Sequence, residues 1–227
     1  MIDTIIVSGG NIMEDFALDF LKKEIDRAGR NRIYLIAADK GLDFFRKTAG
    51  PEGILPDAAV GDFDSLSPEG IRFLEETPGM EIIRLKPEKD DSDTQSATMF
   101  AIGRGAGEIA ILGATGTRVD HVMANLGLLF LGEDHGARIR LVDAWNTIMP
   151  VKSGTALKKT EQTGNFVSFF PMGGDVEGLT LKGFRYPLNG HRLTLTDSGL
   201  TVSNEITEDT AEITFDSGRL LMIMSGD

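Results

Sequence analysis

Two acidic runs are the residues best placed to do chemistry: Gly61-Asp62-Phe63-Asp64-Ser65 and Lys89-Asp90-Asp91-Ser92-Asp93. Each follows a short apolar run that reads as a strand and precedes one that reads as a helix. In α/β proteins, ligands bind outside the carboxyl ends of parallel strands. Carboxylates gathered there repel one another unless a cation lies between them, and hard divalent cations prefer oxygen donors. Acidic turns also serve as ordinary helix N-caps. The two runs alone therefore leave a metal site and a solvated surface equally open. In Asp62-Phe63-Asp64 the carboxylates stand at i and i+2, so an extended strand end would point both the same way, with Phe63 on the opposite face.

A third run, Gly113-Ala114-Thr115-Gly116-Thr117-Arg118-Val119-Asp120-His121, leaves the apolar stretch Ile109–Leu112 and enters a helical pattern. It has the layout of a phosphate-cradling loop, without the Gly-Lys-Ser/Thr ending of a Walker A loop and without a dinucleotide fingerprint. Arg118 can offer bidentate hydrogen bonds to a phosphate or carboxylate, or it forms an ion pair with Asp120. Asp39-Lys40-Gly41 and Gly9-Gly10 close two further strands. Together these strand ends, on one edge of one sheet, indicate Mg²⁺ and a polyphosphate. His121 taken alone is more often a helix-surface or core histidine than a base, and Trp145 reads as packing.

The elements that must position these residues follow from periodicity. Ile5–Val7, Ile33–Ile36, Ala58–Val60, Ile82–Ile83, Ile109–Leu112 and Ile139–Val142 read as strands. Between them Asp15–Ala28, Pro68–Glu76, Thr94–Gly103 and Val119–Gly132 carry helical apolar spacing. Such alternation gives a mostly parallel sheet with helices on both faces, a Rossmann-like α/β fold. Ser92-Asp93-Thr94-Gln95 is a capping-box sequence, with Ser92 at the N-cap. Beyond about Asn146 only short alternating runs remain, including Phe166–Phe170, Leu179–Leu181, Arg192–Leu195, Ala211–Phe215 and Leu220–Met224. They predict a C-terminal antiparallel β-sandwich, with Asn189-Gly190 as a type I′ hairpin turn. The expected domains are residues 1–145 and 146–227.

Composition narrows the function classes. The 227 residues are 41% hydrophobic and 26% charged, ordinary for a globular chain. A formal net charge of −12 argues against broad nucleic-acid binding. With no cysteine and three histidines, thiolate and multi-histidine metal sites are not expected, which leaves oxygen-ligated Mg²⁺. No run approaches the roughly 20 apolar residues that span a bilayer, and no signal-type segment opens the chain, so the expectation is cytoplasmic.

The motifs Ala38-Asp39-x-Gly41, Gly61–Ser65, Lys89-Asp90-x-Ser92-Asp93 and Gly113-x-x-Gly116-x-Arg118-x-Asp120-His121 resemble those of thiamine pyrophosphokinases. Asn125-Leu126, Gly178-Leu179-Thr180, Gly183–Leu188 and Ser203-Asn204 fit as well, so the resemblance covers nearly the whole chain in order. It implies an α/β domain that binds ATP and Mg²⁺, a β-sandwich that binds thiamine, and a homodimer with shared active sites. The implied reaction moves the β,γ-pyrophosphoryl group of ATP onto thiamine, giving thiamine diphosphate and AMP.

By motif, the resemblance gives the metal and triphosphate region to Asp62, Asp64, Asp90 and Asp93. It places Asp39, Lys89, Gly113, Gly116, Arg118, Asp120 and His121 around the nucleotide, and Tyr186, Ser203 and Asn204 around thiamine. Asp93 and Asp120 are both candidates to accept the hydroxyl proton. Three positions depart from the family pattern. Lys40 replaces a common Gly and either touches phosphate or points to solvent. Ser92 replaces Thr and keeps the capping hydroxyl. Tyr186 replaces a frequent Trp, which reduces the stacking surface. Two competing readings are a metal-dependent phosphoesterase using Asp62, Asp64, Asp90, Asp120 and His121, and a non-catalytic binding module on the same fold.

Overall fold

The computed structural model describes residues 1–86 and 91–227, so Lys89 and Asp90 lie outside the described residues. The chain divides into two compact units, Met1–Ala144 and Trp145–Asp227. In the first, strands β1 (Thr4–Val7), β2 (Tyr34–Ala38), β3 (Ala58–Gly61), β4 (Glu81–Arg84), β5 (Glu108–Leu112) and β6 (Arg138–Val142) alternate with helices. The helices are α1 (Glu14–Ala28), α2 (Gly41–Phe44), α3 (Pro68–Glu76), α4 (Asp93–Gly103) and α5 (Val119–Asp134). Neighbouring strands pair in parallel in the order β4-β3-β2-β1-β5-β6. The expected α/β fold is therefore formed.

Two-sided burial explains why the central strands read as unbroken apolar runs. Every residue of β1 is buried. Ile5 and Val7 join Leu35, Ala37, Ala59, Ala110 and Leu112 in a core shared with Ala17 and Leu21 of α1 and Leu42 and Phe44 of α2. The alternate residues face the other way, where α4 lies against β1, β2 and β3. α2 falls outside the helices expected from periodicity, because four residues are too few to show a helical period. It continues into a π-type turn at Phe45–Ala49 and is anchored by buried Phe44 and Phe45.

The second unit is a pair of antiparallel sheets. One holds β7 (Asn146–Val151), β13 (Leu220–Ser225) and β9 (Phe166–Pro171), with β13 in the middle. The other orders β11 (Leu188–Leu193), β10 (Val176–Lys182), β12 (Thr210–Thr214) and β8 (Thr155–Lys158). Inward side chains from both sheets form one core, including Phe169, Leu179, Leu181, Ile213 and Met222, so the unit is a sandwich.

Two expectations fail locally. Asn189-Gly190 is not a hairpin turn but lies inside β11. Leu181 faces Leu188 while Leu179 faces His191, so an extra residue on β11 forms a bulge, with Gly190 left-handed at φ 62°. A bulge needs the left-handed backbone at Gly190 alone and a type I′ turn needs it at Asn189 as well, but both favour glycine at the second position, which is why the dipeptide alone does not separate them. The run Arg192–Leu195 also stops short: a 3₁₀ segment, Leu195–Thr201, replaces its end.

The strand-to-helix junction after β2 tolerates no side chain at Gly41, where an added Cβ would lie 1.8 Å from the Val7 carbonyl oxygen. Because that obstacle is backbone, Gly41→Ala is expected to destabilise the chain by about 2–3 kcal/mol. Urea unfolding checks this, and a variant as stable as its parent would contradict the described packing.

Candidate active site

The strand order reverses between β1 and β5: β2 lies on one side of β1, and β5 returns to the other. Such switch points open a crevice at the carboxyl ends of the two strands, because their following loops diverge. Here the crevice is a cleft of about 720 Å³. Ser8, Gly9, Gly10 and Asn11 line it from the β1 loop, and Gly113, Ala114, Gly116, Thr117 and Arg118 line it from the β5 loop. The two loops are in backbone contact, for a Cβ on Gly10 would sit 2.2 Å from the Gly113 carbonyl oxygen.

Acidic residues line the facing side of the cleft, supplied by the ends of β2 and β3 and by the start of α4. The β2–β3 register sets Ala38 opposite Val60, so the next residues, Asp39 and Gly61-Asp62, emerge side by side. Gly61 permits this closeness: a Cβ there would meet the Asp39 Cα at 3.2 Å. Asp93 opens α4, whose N-cap Ser92 accepts a hydrogen bond from the Gln95 backbone N–H at 3.2 Å. Only half of the capping box forms, since the Gln95 side-chain amide donates to Asp91 instead. A carboxylate in the first turn is favoured by the helix dipole.

The result is a cluster in which Asp39, Asp62 and Asp93 each bring an oxygen within 4.8 Å of the others. Neighbouring ligands of octahedral Mg²⁺ are about 3 Å apart and opposite ones about 4.2 Å, so the three carboxylates would draw together around the ion to hold it. The donors are hard oxygens, which suits Mg²⁺. Asp39 feels the crowding. Burial is the main cause that raises its carboxyl above the ordinary value, and the Asp93 and Asp62 charges add to it. The Ser65 hydroxyl, which donates to both Asp39 oxygens at 3.2 and 2.9 Å, acts against the rise.

Several site expectations are redrawn. Residues 62–64 are not extended: β3 ends at Gly61, and Phe63 is left-handed at φ 62°. The Asp64 backbone N–H donates to Asp62 Oδ1 at 3.2 Å, and Phe63 is buried. Asp64 is consequently exposed and stands outside the three-carboxylate cluster, whereas Asp39 is a member of it. Phe63 prefers the core to a pleated position, and the chain turns to bury it.

Gly113, Gly116, Arg118 and His121 do line the cleft. Arg118 closes on Asp120 through two hydrogen bonds, at 3.1 and 2.5 Å. That pairing chiefly lowers the Asp120 carboxyl to about 2, and both side chains are exposed. Ser8, Asn11, Thr94 and Thr117 line the cleft without having been expected there. The Ser8 and Thr94 hydroxyls share a buried hydrogen bond of 2.6 Å, which joins the β1 loop to α4. A polar residue directly after a fully buried central strand is the signal that marks Ser8. Asn125 is buried, and its Nδ2 donates to the Ala114 carbonyl at 2.8 Å, tying α5 to the β5 loop.

In the second unit, Asn204 is fully buried and holds the Tyr186 backbone from both sides. Its Oδ1 accepts from the Tyr186 N–H at 3.0 Å, and its Nδ2 donates to the Tyr186 carbonyl at 2.8 Å. Tyr186 is 54% exposed, with the Arg185 guanidinium 5.8 Å from its ring centroid. Ser203 is exposed and left-handed at φ 58°, and its N–H donates to Ser168 Oγ. These three residues therefore form one local cluster, with Asn204 acting as its support.

The fold and cleft define a class: a doubly wound α/β unit with an acidic ligand crevice at its switch point, followed by a β-sandwich. Comparisons with known proteins narrow the class. Residues 25–141 match the family described as "Thiamin pyrophosphokinase, catalytic domain", and residues 155–220 match "Thiamin pyrophosphokinase, vitamin B1 binding domain". The chain is 36% identical over 188 residues to the thiamine pyrophosphokinase of Bacillus subtilis, covering 82% of this chain and 86% of that protein. A crystal structure of thiamine pyrophosphokinase from Bacillus subtilis superposes with a TM-score of 0.83 at 32% identity, covering 99% of each chain. One of a family protein from Enterococcus faecalis gives 0.79 at 33% identity, again covering 99% of each. The chain belongs to the thiamine pyrophosphokinase family, and its activity class is that of a thiamine diphosphokinase. No helix among the described residues is long and apolar enough to cross a membrane.

A raised Asp39 carboxyl means the folded chain holds more protons than the unfolded chain between the two pKa values. Stability therefore falls as pH rises through that window. With a chelator present, Asp39→Asn is expected to raise the melting temperature at neutral pH. The gain should vanish below about pH 4, where Asp39 is protonated in both states. Asn also tolerates the left-handed backbone at this position, φ 46°. A lower melting temperature at neutral pH would show that the Ser65 hydrogen bonds outweigh burial and like charge.

Proposed function

We propose that this chain transfers the β,γ-pyrophosphoryl group of ATP to the hydroxyethyl oxygen of thiamine, in a Mg²⁺-dependent reaction. The thiamine oxygen attacks the β-phosphorus and the bond from that phosphorus to the α,β-bridging oxygen breaks. The bridging oxygen leaves on AMP, and the hydroxyl proton passes to a base. The observation that carries this reading is the Asp39, Asp62 and Asp93 cluster facing the glycine-rich loops across the switch-point cleft.

Asp39, Asp62 and Asp93 would hold Mg²⁺, and Asp64 and Asp90 complete the acidic motifs nearby. Bound there, Mg²⁺ would neutralise charge on the phosphate oxygens. Lys89, Gly113, Gly116, Arg118 and His121 are assigned to the nucleotide, where backbone N–H groups suit phosphate oxygens. The chain's own contribution is alignment of nucleophile and leaving group in a fixed polar setting. Of the two candidate bases, Asp120 is the weaker, because Arg118 holds its carboxyl at about 2.

Residues 1–145 form the ATP- and Mg²⁺-binding domain and 146–227 the thiamine-binding domain. In the latter the exposed Tyr186 ring offers a face to the thiazolium cation, an attraction of about 0.5–2 kcal/mol. We assign the chain to the cytoplasm as a homodimer with shared active sites, without nucleic acid or membrane as partners. The phosphoesterase reading is not favoured, since Asp120 and His121 stand outside the carboxylate cluster among the described residues.

Purified chain with ATP, Mg²⁺ and thiamine should release AMP only when thiamine is present. ADP would instead mark an ordinary kinase, and thiamine-independent phosphate a phosphoesterase. Asp62→Asn should lower kcat by about a hundredfold or more while leaving the unfolding midpoint no lower than the parent's. Undiminished turnover would remove Asp62 from the metal set. At subsaturating thiamine, mixing Asp62→Asn chains with Tyr186→Ala chains should give more activity than the sum of the two alone; no gain would overturn the shared sites.

A further inference from the structure

Lys40 stands directly after Asp39 and lines the same cleft as the acidic cluster and the glycine loops. The described residues that line this cleft include four carboxylates, Asp39, Asp62, Asp91 and Asp93, but only two full cations, Lys40 and Arg118. Arg118 is engaged, closed on Asp120. The Lys40 side chain is exposed and has no hydrogen bond or ion pair among the described residues, despite those carboxylates. Its stem is held in place at the root, for a Cβ built on Gly9 would lie 2.8 Å from Lys40 Cβ. The root of the side chain is thus set between the β1 loop and the carboxylates, and its ammonium is unengaged.

We infer that Lys40 is a polyphosphate-binding residue of this site, contacting the phosphate chain of the nucleotide between the metal cluster and the glycine loops. The assignment rests on the proposed ATP chemistry and adds a residue to it. An acidic cleft that takes a polyanion needs cations beyond one divalent ion. A lysine ammonium serves as a point charge for phosphate, on a stem flexible enough to follow the moving group. The partner must carry several phosphates, because a monophosphate bound in the β5 loop would not need to extend toward Asp39.

The test uses the full chain in Mg²⁺ with three probes: ATP, inorganic tripolyphosphate and AMP. Lys40→Met keeps the stem and removes the charge. It is expected to weaken ATP and tripolyphosphate by about 10- to 100-fold, leave AMP and the thiamine KM unchanged, and flatten the salt dependence of the ATP KM. Lys40→Arg should restore most of the loss. Equal binding of ATP and tripolyphosphate by parent and Lys40→Met would overturn the inference, as would an equal loss for AMP. Unaltered unfolding of Lys40→Met would exclude a folding defect as the cause. Thiamine-dependent AMP release by the parent is read separately, so failure of the overall reaction is distinguishable from failure of Lys40.

Discussion

Three carboxylates forced together dominate this molecule. Asp39 and Asp62 leave neighbouring parallel strands, whose spacing of about 4.8 Å is fixed by backbone hydrogen bonding. They cannot separate without breaking the β2–β3 register, and Asp93 is delivered to them by the N-terminus of α4. Burial, with the neighbouring Asp93 and Asp62 charges adding to it, raises the Asp39 carboxyl, a standing cost that the sheet must bear. A divalent cation bound there would turn that cost into affinity. The glycines around the cluster serve the same end, because only a residue without Cβ lets Gly61 lie beside Asp39 or lets the Gly10 and Gly113 loops touch.

Backbone strain collects in the same regions. Among the described residues, the non-glycine positions in the left-handed region are Asp39, Phe63 and Ser203. Each sits within a motif that carries the family resemblance. Such conformations persist only where the surroundings over-determine them. Buried Phe63 anchors the turn that presents Asp62, and the Ser65 hydroxyl pins Asp39. In the sandwich, the Asn204 amide holds the Tyr186 backbone through two hydrogen bonds and also accepts from the Glu205 N–H, so its place in the motif is explained by support of an exposed tyrosine.

Much of this was legible beforehand, for reasons that differ by element. The parallel strands were visible because two-sided burial leaves no polar alternation, and α4 because Ser92 caps it. Periodicity could not reveal α2, which is too short for one. Nor could it place Asn189-Gly190, since a bulge and a tight turn both favour glycine at the second position. In the acidic motifs, residue types were correct where the geometry was not. Asp64 read as the partner of Asp62 on an extended end, but core burial of Phe63 turned it outward. Asp39 read as a wall of the cleft, yet strand register makes it part of the carboxylate cluster. Arg118 and Asp120 paired with each other, the reading that local sequence already allowed.

The sequence by itself determined the class of chemistry: acidic and glycine-rich turns at the ends of apolar runs, in an order that resembles the thiamine pyrophosphokinase motifs. That information is local, since strand ends, caps and turns are written in adjacent residues. Which carboxylates come together, and which lysine or arginine among the described residues stands unengaged beside them, depend on strand order and register. Those are set by packing between residues far apart in the chain, such as Ala38 against Val60 and Ser8 against Thr94. Only the tertiary structure could decide them, because a shift of one residue in register would turn a different set of side chains toward the cleft.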